Sequence, residues 1–272
     1  MYGVAISDSR IYLIQCECNW IKVYDACHPY EFLGDIKVRD MTNPSDILAF
    51  DHCLYIPDNM TPTCHHYFGM RSDCDHRVWK IRLSESASFS VQPEKTLMSL
   101  KKWWPWTLSR ASDGKIIITT LTDKVYFWSP DPHAIETVTL PLSVCSAQHI
   151  IELSGQLYLI CSRLCEPKVC QLVREGNKMN FVENSSSLDV QHPRHFAKLP
   201  DGRIVVPDHI NNSVLVVEND LNSCKTLLCH GNNGRKRPCR VAYDGSSHQL
   251  LVAFHHSAGL YSLNDSFLQV QH

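Results

Sequence analysis

The chain has 272 residues, a formal net charge of −2, 44% apolar residues and 20% charged residues. That balance excludes a disordered chain, which combines low hydrophobicity with high net charge. No apolar run reaches the roughly 18 residues of a membrane-spanning helix, and a pI near 6.7 disfavours a dedicated nucleic-acid binder, whose domains usually lie above about 9.

The opening residues Met1-Tyr2-Gly3-Val4-Ala5-Ile6-Ser7-Asp8 hold neither the basic nor the apolar region of a secretory signal. The expected location is therefore the cytoplasm. Thirteen cysteines lie between Cys16 and Cys239 without one framework spacing. A chain this long buries roughly three quarters of its unfolded surface and needs no disulfide staples. The cysteines read as free thiols, mostly buried as small apolar groups in strands.

Six segments share one order: an apolar strand after a proline or similar residue, a turn, a second strand, a polar turn and a third strand. The first predicted unit runs through Tyr2–Ile6, Arg10–Ile14 and Trp20–Asp25. The second has Pro44–Ala49, Cys53–Asp58 and Arg77–Ile81, and the third Pro105–Leu108, Asp113–Ile118 and Lys124–Trp128. The fourth has Ala147–Ile151, Gly155–Ile160 and Lys168–Val173. The fifth has Pro193–Ala197, Asp201–Asp208 and Asn212–Val217, and the sixth Pro238–Ala242, Gln249–Ala253 and Gly259–Leu263.

The starts at 1, 44, 105, 147, 193 and 238 are spaced like single blades of a β-propeller, which run to roughly 40–50 residues. β-Branched and aromatic residues dominate the strands, and Asp-Gly turns join the first two strands of units three and five. Strands such as Ile116-Ile117-Ile118 are apolar on both faces, as stacked blades require. The prediction is an all-β, six-bladed β-propeller of four-stranded blades, a single domain over 1–272. Units one and six meet in it, because only a closed ring hides its edge strands.

The pattern Pro-x-x-apolar … Asp-Gly-x-Ile-x-Val-x-Asp-x-x-Asn-x-x-Val-x-Val over Pro193–Val217 resembles the NHL repeat. The Cys53–Asp58 and Arg77–Ile81 strands resemble a variant common in invertebrate NHL-type propellers. The resemblance implies a six-bladed binding platform, often joined in ubiquitin ligases to RING and B-box zinc modules. Such modules are absent from this sequence, so the resemblance brings at most a substrate-recognition role in a ligase-type system.

Several groups of residues could carry chemistry. The second unit is lengthened by Cys64, His65, His66, Cys74, Asp75 and His76, whose residue types could clasp Zn²⁺ although the spacing fits no standard finger. Cys16, Cys18, Cys161, Cys165 and Cys170 read as core or turn cysteines. Asp58 and Asp208 both end second strands and read as Asx-type turn caps rather than a catalytic pair. Basic residues Arg235, Lys236, Arg237 and Arg240 follow unit five, and Trp103 and Trp104 follow Lys101-Lys102 before unit three. Cations beside aromatics can hold single-stranded RNA, and exposed tryptophans can anchor a protein partner.

Aligning the units places Gly3, Asp46, Thr107, His149, His195 and Arg240 at one level of the innermost strands, so that Asp46, His149, His195 and Arg240 line the channel. Related six-bladed enzymes, such as the peptide-amidating lyase and lactonase-like propellers, bind a metal there. In this sequence Asp46 is expected to face the histidines across the channel, and Arg240 to oppose a cation. Two imidazoles fall one short of the three protein ligands of a catalytic zinc. The expectation is a channel without metal or other cofactor. The chain is then a monomeric, non-enzymatic scaffold binding protein, with RNA as the alternative ligand and neither DNA nor membrane as partner. A metal-dependent lyase or lactonase-like channel enzyme is the second alternative.

Overall fold

The computed structural model describes residues 2–15, 18–27, 31–59, 75–83, 98–101, 104–130, 134–141, 144–163, 166–182, 190–229, 237–254 and 257–263. All regular elements among them are β-strands, and no helix is long and apolar enough to cross a membrane.

Strands β1 to β4 (Tyr2–Ser7, Arg10–Gln15, Trp20–Asp25, Phe32–Lys37) form an antiparallel meander in sequence order. So do β5 to β8 (Leu48–Phe50, Cys53–Asp58, Asp75–Arg82, Met98–Lys101) and β17 to β20 (Ala197–Lys198, Ile204–Asp208, Ser213–Val217, Cys224–Cys229). The last group, β21 to β23 (Pro238–Asp244, Gln249–Phe254, Ala258–Ser262), has three strands among the described residues.

Units three and four depart from the expected separation. Strands β9 to β12 (Pro105–Arg110, Ile116–Thr120, Lys124–Ser129, Ala134–Thr139) and β13 to β16 (Val144–Leu153, Gln156–Arg163, Glu166–Glu175, Lys178–Phe181) are joined in one eight-stranded sheet. The seam is a parallel pairing of Thr139 with Lys178, reinforced by the Thr139 N–H donating to Asn177 O at 3.0 Å. Arg174 also pairs with Glu136 across it.

The turns follow their chemistry. Gly114 and Gly202 sit at φ 84° and 88° in the Asp-Gly turns, a region glycine enters without steric cost. The aspartates before them accept from the backbone two residues on, Asp113 from Lys115 N–H at 3.1 Å and Asp201 from Arg203 N–H at 3.0 Å.

The inner strands of units two and five are shorter than predicted, and the reason is the same in both. Pro44 and Pro193 form only isolated bridges, to Asp58 and Asp208, because proline has no N–H for a ladder. The buried aspartate carboxylates tie down the chain instead. Asp58 accepts from Asn43 N–H at 2.7 Å and from the indole of Trp79 at 3.0 Å. Asp208 accepts from Gln191 N–H at 3.0 Å and Asn211 Nδ2 at 2.8 Å.

Apolar clusters fill the space between neighbouring units. Ile14 and Ile21 of unit one pack with Leu54 and Trp79 of unit two. Tyr55 and Val78 meet Ile118 and Trp128 of unit three, and Ile117 meets Leu159 of unit four. Tyr158 and Ile160 meet Val206 and Val217, and Val205 meets Leu250 and Val252. Val4 and Ile11 of the first unit pack against Cys239, Leu251 and Ala253 of the last. Each side chain so buried contributes about 1.5–3 kcal/mol, and the first and last units meet as closure requires. The architecture is an all-β propeller in which the innermost strands gather around a common centre.

Candidate active site

An innermost strand has one edge with no strand beside it, so its backbone groups need other partners. At the centre of this fold those partners are side chains of the neighbouring units. The Ser45 hydroxyl donates to Trp106 O at 2.9 Å, and Asp46 Oδ2 accepts from Leu108 N–H at 2.9 Å. Thr107 Oγ1 donates to Gln148 O at 2.7 Å. Arg240 reaches in two directions, to Arg194 O at 3.3 Å and to Ser45 O at 3.2 Å. Gly3 belongs to this layer because a Cβ there would lie 3.0 Å from the Asp46 backbone and 2.8 Å from Ile14.

The four polar channel residues converge. Asp46 is 1% exposed, His149 2%, His195 7% and Arg240 1%. The two imidazole rings stack with centroids 3.9 Å apart. Asp46 does not face them from across a channel, as expected from its unit, but lies against them: its Oδ2 is 3.8 Å from His195 Nε2 and its Oδ1 is 3.6 Å from Arg240 Nε. The centre is narrow enough for units two, five and six to touch there.

The environment sets the charges. Burial alone would raise the Asp46 carboxyl, but His195, Arg240 and the Leu108 N–H together hold it below its ordinary value, so it is ionised. Burial pushes His195 down and outweighs the pull of Asp46 in the other direction. Burial, with the charges of His195 and Arg240, pushes His149 well below its ordinary value. At neutral pH the centre therefore holds a carboxylate, a guanidinium and two neutral imidazoles.

The two histidines differ in what their nitrogens do. His149 Nδ1 accepts from Phe196 N–H at 3.0 Å, which leaves Nε2 as the protonated nitrogen facing Leu108 O at 3.3 Å; this bonding assigns the tautomer. His195 is held differently: against the burial that lowers its basicity, the Asp46 carboxylate and the Val241 backbone both raise it. Its Nδ1 is buried without a hydrogen-bond partner, and its Nε2 faces the Asp46 carboxylate.

Asp46, His149 and His195 each offer one atom within 4.8 Å of the others, as metal ligands would. The donor chemistry does not fit a cation. The His149 Nδ1 lone pair already accepts a hydrogen bond, its Nε2 carries the proton, and Arg240 stands beside the carboxylate. A ligand nitrogen must present a free lone pair, and two donors remain where catalytic zinc normally has three.

The other sequence candidates are dispersed. Cys64, His65, His66 and Cys74 lie outside the described residues, as do Cys16, Cys165, Trp103, Arg235 and Lys236. His76 is buried, with its ring edge-on to Trp104 at 5.8 Å. Trp104 is 37% exposed and Arg237 is exposed. Of eight described free cysteines, Cys53, Cys161, Cys170 and Cys239 are buried while Cys27, Cys224 and Cys229 are exposed, so burial holds for only half of them. A cavity of about 480 Å³ lies elsewhere, between units one and six beside Leu13, Trp20, Tyr24 and Leu260, with Lys22 and Asp35 also on its walls.

No protein-family model matches the chain, and no curated protein matches it. Solved structures share its shape. A streptogramin B lyase superposes with a TM-score of 0.61 at 14% identity, covering 97% of this chain and 83% of the lyase. A protein assigned as a gluconolactonase gives 0.66 at 10% identity, covering 94% and 87%. The Cps50 (Swd1) β-propeller domain gives 0.57 at 7%, covering 96% and 83%. The expectation of a non-enzymatic binding module is thereby corrected. The step from a repeat signature to a mere platform fails, because a propeller of this shape is also the fold of a streptogramin B lyase.

Proposed function

We propose that the chain is a channel enzyme that opens an ester or lactone bond by proton transfer at His195, without a metal. It is a ring of six NHL-like blades with the reaction at its centre. The observation that carries this reading is the pairing of neutral His195 with ionised Asp46 at 3.8 Å, beside Arg240. A neutral imidazole is a competent general base near pH 7. The adjacent carboxylate stabilises the imidazolium that forms when the base takes a proton, and the guanidinium supplies positive charge for a developing oxyanion. His195 is the least buried member of the group. The likeness to a lyase and a gluconolactonase supports the substrate class.

Gluconolactone and simple cyclic esters are the first probes. The wild-type protein is expected to turn over at least one of them, and His195→Ala to lower the rate by about 100-fold or more. Turnover in ¹⁸O-labelled water separates the routes: hydrolysis places the label in the product carboxylate, and elimination yields an unlabelled alkene. A rate unchanged in His195→Ala, or no turnover of any probe, overturns the proposal.

A further inference from the structure

Beside the hub stands a positive charge that the hub does not use. Arg194 precedes His195 in the chain, and its Nε is buried with no hydrogen-bond partner. Among the described residues no acid forms an ion pair with it. Its surroundings add more positive charge. Burial, and after it the charge of Arg240, hold its guanidinium below the ordinary value. His209 contacts Pro238 O at 3.3 Å and lies 5.9 Å, ring to ring, from His192, whose Nδ1 is likewise buried without a partner. Arg237 is near enough to act on the His209 charge.

Both nearby acids are committed elsewhere. Asp46 accepts from Leu108 N–H and faces His195 and Arg240. Asp208 accepts from Gln191, Ile210 and Asn211. An arginine cannot neutralise itself by losing a proton, and a partly buried guanidinium without an anion is costly. The arrangement is stabilised when an oxyanion arrives from outside, and the planar fork of arginine suits a carboxylate or phosphate.

We propose that Arg194 and His192 form an oxyanion site beside the hub that holds the carboxylate or phosphate group of a small molecule. The site rests on the channel-enzyme reading for its purpose: opening a lactone by hydrolysis releases a carboxylate, the anion such a site would hold. Its existence does not depend on turnover, so binding can be measured alone.

Calorimetric titration of the wild-type protein with gluconate, inorganic phosphate and neutral sorbitol provides the test. Gluconate or phosphate is expected to bind and sorbitol not. Arg194→Gln is expected to weaken the anion about tenfold or more, with Arg194→Lys, which keeps the charge but not the fork, in between. Arg110→Gln, which alters an exposed arginine stacked over Phe50, is expected to change nothing. Gluconate binding without phosphate assigns the site to carboxylates; the reverse assigns it to phosphate esters. Should Arg194→Gln fail to fold, Arg194→Lys carries the comparison. Anion binding as tight in the Arg194 variants as in the wild type, binding of sorbitol equal to that of gluconate, or binding of neither anion overturns the proposal. His195→Ala that loses turnover but keeps gluconate binding separates this site from the catalytic reading.

Discussion

The inner strands of units four and five place a histidine at the same repeat position, and the two rings stack. Their chemistry then diverges. His149 joins three units, accepting from Phe196 of unit five and facing Leu108 O of unit three. His195 instead faces an ionised carboxylate, with the Val241 backbone also acting on it. One imidazole is bolted into the units on either side, while the other stands against a carboxylate and is the proposed base. A repeat position fixes where a side chain stands, while the neighbouring unit's unpaired edge determines what it does.

The largest difference between them is in activity. His195→Ala should cost about 100-fold to 10,000-fold in turnover while shifting the melting temperature little. A variant that loses stability and activity together would break the distinction. Asp46→Asn, assayed on the same lactone, should lower the apparent basicity of His195 and move the acidic limb of the pH–rate profile down. An unmoved limb would detach Asp46 from the base.

His149→Ala should act chiefly on stability. It leaves the Phe196 N–H without its acceptor and the Leu108 carbonyl without its donor, each worth about 1–3 kcal/mol when buried. A fall of roughly 5–15 °C in Tm is expected for a domain of this size, read by calorimetry.

Acidification sharpens the contrast. Both histidines have folded pKa values below the unfolded value of about 6.5. The unfolded chain therefore binds more protons below that pH, and stability is present above it and is lost as pH falls. His209, lowered to about 4, acts in the same direction between about 6.5 and 4. Asp46, depressed in the fold, adds to the loss once the pH passes below its unfolded value of about 3.9. Replacing His149 with Gln should flatten the Tm–pH curve more than replacing His195, because no carboxylate stands against the burial of His149. Equal flattening would show that the two rings titrate as one pair.

The smallest effect tests whether the bolt is general. Thr107→Val removes the hydroxyl that reaches Gln148 O and should cost about 1–2 kcal/mol of stability in denaturant titration.

Much of the fold was legible because the repeat is punctuated: Pro193, the Asp201-Gly202 turn and Asp208 recur in type at Pro44, Asp113-Gly114 and Asp58. The layer of channel residues followed from the same alignment. Their bonding did not. Asp58 and Asp208 were read as local turn caps; Asp208 does cap Ile210 and Asn211, but both also grip backbone preceding their own inner strands, at Asn43 and Gln191. The convergence of Asp46 on His195 depends on how closely units two, five and six approach, and spacing along the chain carries no such distance. The seam between units three and four rests on the Thr139–Lys178 pairing, which leaves no mark on periodicity. Arg194 and His192 were overlooked because the reading followed only the level of His195. The signal was one residue away, where an arginine precedes a channel histidine.

Arg240 also orders events in time. It donates to Ser45, 195 positions earlier in the chain, and stands beside Asp46 and behind Arg194. On the ribosome the second unit emerges long before this partner exists, so its carboxylate must wait in water. The cluster of Asp46, His195 and Arg240 can form only when the last unit docks. Contacts of such long sequence separation slow folding, and they make the arrival of the C-terminal strands the event that switches the channel from an open, hydrated gap to a closed site.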